Sequence, residues 1–203
     1  MAAGRPSFAA LGFRPHTYWT AIVALTGRPD APQVIERRRI EFAAGDEQFV
    51  YHQAAEVGLA EAGSLIAWVR AATEANAASE IGQLIADLQG DGVGVRIAAV
   101  PTGRARRPEK LEDILRAHSS IHAAEGNFYR DVVAAACGVV GLEVQRVVER
   151  DLPAGVCALL RMDEPLLEAR LKQMGATLGP PWSEDYKLAT QAAWLFLDEA
   201  KGS

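Results

Sequence analysis

Two histidines and a glutamate form the clearest pattern of reactive side chains in the sequence. His118, His122 and Glu125 are spaced at i, i+4 and i+7, so on a helix they form one stripe about two turns long. Imidazole and carboxylate groups in such a stripe can bind a transition metal or transfer protons at a phosphate ester. The alternative is the polar face of an amphipathic helix, where this spacing also occurs.

A second group of polar residues lies near the N-terminus. Arg14 and His16 flank Pro15, beside a turn that the proline stiffens. A guanidinium group matches phosphate or carboxylate through two parallel hydrogen bonds, so this segment is a candidate anion-binding site. The alternative is an internal salt bridge from Arg14 to Glu125 or Asp185.

Asp185 and Lys187 lie at the start of the last predicted helix. Ser183 has the residue type and position of an N-cap, so the Asp185 carboxylate serves either a site or only the helix dipole. Lys187 points to a different side of this helix from Asp185. Its long side chain either reaches a phosphate at the edge of a site or remains solvated.

Basic residues are concentrated at two further places, 37–39 and 104–110. Such segments can follow a nucleic-acid backbone, but the aromatic residues that would stack on single-stranded bases are missing here. The net charge of −5 favours solvated faces for both segments, although a local patch can still bind a polyanion. Composition therefore neither implies nor excludes DNA or RNA as a partner.

The overall composition is that of an ordinary globular protein. The chain has 203 residues, of which 49% are hydrophobic and 23% charged, and this predicts one domain over 1–203. Its apolar runs are too short to cross a bilayer and residues 1–10 lack the apolar core of a signal peptide, so we expect a cytoplasmic protein without a membrane partner. Cys137 and Cys157 lie in apolar stretches without a CxxC pattern and are expected to be structural free thiols.

Motifs for several common chemistries are absent from the sequence. It contains no Walker-type glycine loop, no G-x-S-x-G elbow and no HExxH. P-loop nucleotide hydrolysis, serine esterase chemistry and zincin proteolysis therefore lack their motifs.

The first half of the sequence predicts an antiparallel strand pair followed by a long helix. After a leader containing glycine and proline, 17–26 form an apolar run, and 34–42 return after a Gly-Arg-Pro-Asp turn. A short third strand is predicted around 49–52. A helix follows over about 60–89, with a kink or break expected at 76–79.

The second half alternates strands and helices. Small and β-branched residues at 93–100 indicate a buried strand, and a helix or helix pair follows over 111–140. A further strand is predicted at 142–148, and two helical segments begin near 164 and 183. This order predicts an α/β fold with a mixed central sheet, antiparallel at its opening strands and then parallel, with helices on both faces.

The segment Gly12-Phe13-Arg14-Pro15-His16-Thr17, followed by the apolar run 20–24, has a familiar pattern. It resembles the first strand of RuvC-type Holliday junction resolvases of the ribonuclease-H-like superfamily, which begins with Gly, a hydrophobic residue, Asp, Pro, Gly and Ser/Thr. The resemblance continues through 97–102, similar to the fourth strand, through the helical segment 118–126, and through Glu184-Asp185 at the start of the last helix. It covers most of the chain as a pattern.

The resemblance implies a ribonuclease-H-like fold. Active relatives cleave phosphodiesters with divalent metals held by carboxylates from the first strand, the fourth strand and the last helix. Of these only Asp185 is present, because Arg14 stands where the first Asp would be and 98–102 contain no carboxylate. A cation at this position would repel Mg²⁺ by about 4 kcal/mol or more per unit-charge pair at roughly 4 Å and a dielectric near 20. A conventional two-metal nuclease is therefore not expected.

The resemblance also implies that the helical stripe, the Arg14–His16 segment and Asp185 face one cleft, with three of the four histidines together. The candidate catalytic residues are then His16, His122, Glu125 and Asp185. The candidate substrate-binding residues are Arg14, Thr17, His118 and Lys187. No metal ligand is assigned, and the cofactor is unknown, with a divalent metal as the one candidate.

Three functions remain open. The leading one is a catalytically silent or altered module that binds DNA or RNA, with Arg14 in the vacated metal position. The second is a nuclease or phosphodiesterase with a rewired His/Glu/Asp centre. The third is a non-catalytic homodimer or small-ligand-binding protein, since relatives of this kind pair through helices and the Ala-rich segments here could pack closely.

Overall fold

A computed structural model describes residues 7–42, 49–103 and 110–201. The strands are β1 (Ser7–Pro15), β2 (Trp19–Arg28), β3 (Ala31–Glu41), β4 (Val93–Thr102) and β5 (Glu143–Val148). The α-helices are α1 (Val50–Glu56), α2 (Leu59–Gly90), α3 (Leu111–Arg116), α4 (His118–Val139), α5 (Leu152–Leu160), α6 (Glu164–Leu178) and α7 (Glu184–Leu195). Short 3-10 turns occupy Glu149–Asp151 and Glu199–Lys201.

The five strands form one mixed sheet in the order β3-β2-β1-β4-β5. β2 runs antiparallel to both β1 and β3, while β4 runs parallel to β1 and to β5. The predicted α/β class, the antiparallel hairpin and the parallel second half of the sheet are confirmed. The crossovers between parallel strands are helical, as parallel pairing requires.

The sheet separates two hydrophobic layers. Residues Ala9, Leu11 and Phe13 of β1 pack in the core that α1 to α4 cover. Ala10 of β1 packs on the opposite side with residues of α5, α6 and α7. Alternate side chains of a strand point to opposite faces, so a central strand buried on both sides supplies both cores.

The central strand β1 was predicted only at its carboxyl end, because residues 12–15 lie in the segment that resembles the family's first strand and the residues before them belong to the predicted leader. Ala9, Ala10, Leu11 and Phe13 have no exposed surface. A strand buried on both faces shows no alternation of apolar and polar residues, so the period-2 signal that identifies a half-exposed strand is missing.

The region 111–140 is a helix pair separated at Ala117, which is one of the two predicted alternatives. Three other features of the secondary structure differ from the prediction. The segment predicted as a third strand begins helix α1 instead, with Val50, Tyr51 and Ala54 buried at helical spacing. α2 continues unbroken through 76–79. α5 was missed, since its apolar sequence lacks a polar face at helical spacing.

Both cysteines are free thiols, and Cys137 is buried while Cys157 is half-buried. Burial raises the pKa of the Cys137 thiol well above its usual range, which keeps it protonated and unreactive. None of the helices that the structure describes combines the length and hydropathy needed to span a bilayer.

Helix α7 crosses β1 at Gly12, and the two backbones are nearly in contact there. A Cβ atom at Gly12 would overlap the Ala189 carbonyl oxygen and lie 2.6 Å from the Ala193 nitrogen. Only glycine allows this approach. The crossing holds the first turn of α7 beside the end of β1.

The substitution Gly12→Ala is expected to destabilise the fold by about 3 kcal/mol or more, because the added methyl group meets helix backbone that cannot move aside locally. Urea unfolding monitored by circular dichroism measures the change. Gly138→Ala is the matched control, since a Cβ at Gly138 on α4 meets no atom within 4 Å, and we expect a neutral or slightly stabilising effect. Equal stabilities for the two variants would contradict the close crossing.

Candidate functional site

Charged side chains gather where the parallel strands end. β1 ends at Pro15, β4 at Thr102 and β5 at Val148, and parallel strands place their carboxyl ends at one edge of a sheet. At or next to these ends lie Arg14, His16 and Glu149, together with Arg130 of α4 and Asp185 of α7. We call these five residues the strand-end cluster.

Two arginines share one carboxylate in the strand-end cluster. An Nη of Arg14 lies 3.1 Å from Glu149 Oε1, and an Nη of Arg130 lies 3.3 Å from Glu149 Oε2. The three side chains are 19%, 17% and 24% exposed, in the order Arg14, Arg130, Glu149. Within these three side chains two cations face one anion, and the other carboxylate of the cluster, Asp185, is paired with His16.

The arginines keep hydrogen-bonding capacity beyond these ion pairs. Arg14 also donates to the Pro15 carbonyl at 3.1 Å, and Arg130 donates to the Gly126 carbonyl at 2.7 Å. The Nε of each guanidinium is buried and has no hydrogen-bond partner among the residues that the structure describes. A buried donor without a partner carries a desolvation cost.

The predicted alternative partners of Arg14, Glu125 and Asp185, are both wrong. The carboxylate that pairs with Arg14 belongs to Glu149, directly after β5. β4 lies between β1 and β5 in the sheet and ends at Thr102, so the pair joins the ends of two strands that are not neighbours.

The carboxylates at this edge do not fit a divalent metal pair. Glu149 is held by two guanidinium groups and Asp185 by His16, while β4 ends in Pro101 and Thr102, which offer no carboxylate. Mg²⁺ requires an octahedral set of oxygen ligands, usually including carboxylates. The guanidinium group of Arg14 adds repulsion to this shortage of ligands.

His16 and Asp185 form a second interaction in the cluster. His16 Nε2 lies 2.6 Å from Asp185 Oδ1, and the two side chains are 31% and 28% exposed. The His16 ring stacks on Trp19 with centroids 4.1 Å apart, and the Arg39 guanidinium lies 4.1 Å from the Trp19 ring centroid. A carboxylate bonded to one ring nitrogen fixes the tautomer and orientation of the imidazole. Thr17 lies in the bend between β1 and β2.

The helical stripe lies elsewhere, against α1. His118 and His122 project from α4 with their Nε2 atoms 2.9 Å apart, and His52 of α1 packs against both rings. The predicted meeting of His16 with His118 and His122 is therefore wrong, because the histidine that joins these two is His52. Among the described residues, the one group of three potential metal-ligating side chains contains neither His16 nor Asp185.

Glu125 has a structural task beside this histidine group. It is 7% exposed, and its Oε1 accepts hydrogen bonds from the backbone nitrogens of Tyr51 at 2.6 Å and His52 at 3.1 Å. These are first-turn N–H groups of α1, which lack partners within the helix. Burial raises the pKa of Glu125, and the bonds from His52 and Tyr51 oppose that rise.

The remaining predicted basic residues are engaged within the protein. Lys187 lies 3.0 Å from Glu184, in an open cavity of about 670 Å³ between α5, α6 and α7. Arg37 donates to backbone carbonyls at the end of α6, and Arg38 pairs with Asp87. The segment 104–109 lies outside the described residues.

Sequence reasoning missed Glu149, Arg130 and the role of His52. Glu149 carried a usable signal, since it follows a predicted parallel strand and must lie at the same sheet edge as the residues after β1. His52 was assigned to a strand, which hid its position on a helix beside α4. Nothing in the sequence distinguishes Arg130 from other helical arginines.

No protein-family model matches the chain, and no curated protein matches it. The solved structures that it resembles include RuvC from T. thermophilus in complex with a Holliday junction substrate, with a TM-score of 0.55 at 10% identity over 96% of this chain and 95% of that one. A second is the Thermus thermophilus RuvC structure, with a TM-score of 0.54 at 8% identity over 95% of each chain. These comparisons confirm the ribonuclease-H-like fold.

Removing the shared carboxylate should destabilise the protein measurably. Glu149→Ala leaves two mostly buried guanidinium groups without their counterion, and we expect a loss of about 2–3 kcal/mol in the free energy of unfolding. Chemical denaturation provides the measurement. The control Glu80→Ala removes an exposed glutamate of α2, and it should change stability by no more than about 0.5 kcal/mol. If Glu149→Ala lowers the free energy of unfolding by no more than Glu80→Ala does, the two ion pairs contribute little to stability.

Proposed function

We propose that this chain is a cytoplasmic, catalytically silent module that binds the phosphate backbone of nucleic acid through its strand-end cluster. The observation that carries the proposal is the pairing of Arg14 and Arg130 with the single carboxylate of Glu149. This arrangement places two guanidinium groups around one carboxylate where the strands of an α/β sheet end and where ligands of open α/β sheets commonly bind.

The chemistry of the two guanidinium groups favours phosphate. A guanidinium group is always charged and presents donors in a planar fork that matches a phosphate oxygen pair. Arg14 and Arg130 are held in place by Glu149 and by backbone carbonyls. Each is mostly buried, so little side-chain entropy remains to be lost when a phosphate binds.

The fold gives independent support for a nucleic-acid partner. One of the similar solved structures is RuvC in complex with a Holliday junction substrate, so a chain of this architecture can present a surface to branched DNA. Fold alone does not assign a function, and the proposal therefore depends on the arginine cluster.

The same residues are the reason that we expect no phosphodiester cleavage. The two-metal mechanism holds two cations with carboxylates and uses them to activate water and stabilise the leaving oxygen. The sequence resemblance aligns Arg14 with the first metal-binding Asp, and the two carboxylates nearby are engaged by Arg14, Arg130 and His16. The cluster can therefore bind a phosphodiester without providing the ions that cleave it.

Fluorescence anisotropy with labelled branched, duplex and single-stranded DNA and RNA tests the proposal. We expect salt-sensitive binding, and Arg14→Gln should weaken it by about 1.5 kcal/mol, roughly tenfold, and reduce the slope of log K against log salt by about one. Arg14→Lys keeps the charge but loses the planar fork of donors, and its affinity should lie between those of the unchanged protein and Arg14→Gln. Light scattering of the same samples tests the homodimer expected from the sequence.

Two further variants separate a local effect from a change in total charge. Arg28→Gln removes an arginine paired with Asp30 at the β2–β3 turn, beyond the opposite end of β1, and should leave affinity unchanged. Glu149→Gln removes the competing charge beside Arg14 and Arg130 and should tighten binding. If Arg14→Gln and Arg28→Gln lose equal amounts of nucleic-acid affinity, the strand-end cluster is not the binding site.

The contact between His16 and Asp185 favours a second candidate, a phosphodiesterase that works by acid–base catalysis. An imidazole oriented by a carboxylate at 2.6 Å is suited to accept a proton from an attacking hydroxyl group. This candidate predicts cleavage of RNA or DNA that disappears in His16→Ala and falls strongly in Asp185→Asn. Incubation with each substrate, with and without chelator, measures cleavage. If the unchanged protein yields no product in any condition, the phosphodiesterase candidate is contradicted and the binding module is favoured.

A further inference from the structure

We propose that His52, His118 and His122 form a binding site for one transition-metal dication, with Zn²⁺ as the preferred ion. The site lies on the α1–α4 side of the molecule and is separate from the strand-end cluster. Arg130 of that cluster lies eight residues beyond His122 on α4, which corresponds to about 12 Å along a helix.

The spacing of the three imidazoles suits a single ion. One ring nitrogen from each histidine lies within 4.8 Å of the others, and the Nε2 atoms of His118 and His122 are 2.9 Å apart. Nitrogen ligands at about 2.0–2.1 Å from Zn²⁺ lie roughly 3 Å from one another in tetrahedral or five-coordinate geometry. Small side-chain rotations therefore bring all three nitrogens to one ion.

The three ligands come from two neighbouring helices. His118 and His122 occupy successive turns on one face of the 22-residue helix α4, and His52 lies in the first turn of α1. The ring centroids of His52 are 5.5 Å from His118 and 4.8 Å from His122. A bound ion would join α1 to α4 and would replace the hydrogen bond between His118 and His122 with coordination.

Glu125 supplies the outer-shell partner that metal-binding histidines usually have. Its Oε1 lies 3.3 Å from Nδ1 of His52. A proton on Nδ1 that is donated to this carboxylate leaves Nε2 of His52 with a lone pair for the metal. Glu125 is held in turn by two backbone N–H groups of α1, so it is a positioning residue for the ligand.

The ligand type and exposure indicate which ion is favoured. Three neutral imidazoles suit Zn²⁺, Cu²⁺ or Ni²⁺ and bind Mg²⁺ or Ca²⁺ poorly. His118 and His122 are exposed and His52 is half-buried, so the fourth position of a tetrahedral ion would face solvent and take water or an exogenous ligand. Three histidines with an open position is a ligand set that proteins use for accessible zinc.

Competition with a chromophoric zinc chelator, using protein without a polyhistidine tag, tests the site. We expect one equivalent of Zn²⁺ per chain, with no comparable binding of Mg²⁺. His52→Ala and His122→Ala should each weaken affinity by more than the roughly 10- to 100-fold that loss of an outer-shell partner costs. His16→Ala removes the histidine outside the group and should bind Zn²⁺ as the unchanged protein does.

Two further measurements separate a built site from a surface pair of histidines. Co²⁺ substituted for Zn²⁺ should give the visible absorption of a four- or five-coordinate nitrogen site in the unchanged protein and lose it in His52→Ala. Glu125→Gln should weaken Zn²⁺ affinity about 10- to 100-fold while far-ultraviolet circular dichroism confirms that the variant is folded. Failure to bind one equivalent, or full binding by folded His52→Ala, would overturn the proposal. Either result leaves the nucleic-acid measurements unaffected.

Discussion

The contact between the backbone of α7 and the backbone of β1 at Gly12 determines the arrangement of the rest of the molecule. β1 is the central strand of the sheet and contributes side chains to both hydrophobic layers. With no side chain at Gly12, the last helix can lie directly on this strand. One turn before the crossing, the same helix places Asp185 against His16. The local geometry of the cluster thus depends on a residue that has no side chain.

Under the proposed function, the strand-end cluster would bind phosphate by a different route from a carboxylate site. In a carboxylate site, anions attract metal ions, and the ions then attract phosphate. Here the guanidinium groups of Arg14 and Arg130 provide positive charge directly. A permanently charged side chain binds phosphate without a metal, but it has no open coordination position at which water can be activated. Binding and cleavage are separable for this reason.

The sequence predicted the fold class and most of the second half of the sheet, because those elements have clear periodicity and clear breaks at glycine and proline. It did not predict most of β1, which is buried on both faces and therefore shows no alternation of apolar and polar residues, or α5, whose apolar residues show no polar face. The stripe of His118, His122 and Glu125 was identified from spacing alone. Its partner His52 was not, because the contact between α1 and α4 is long-range, and spacing along one helix carries no information about the neighbouring helix.

Helix α1 has only seven residues, and a helix of that length is unstable by itself in water. It persists because Glu125 satisfies two of its first backbone N–H groups and because Val50, Tyr51 and Ala54 are buried. α4 therefore acts as a template on which this short segment becomes helical. The chain consequently has a hierarchy of stability, in which α1 can unfold locally while the sheet and the longer helices remain intact.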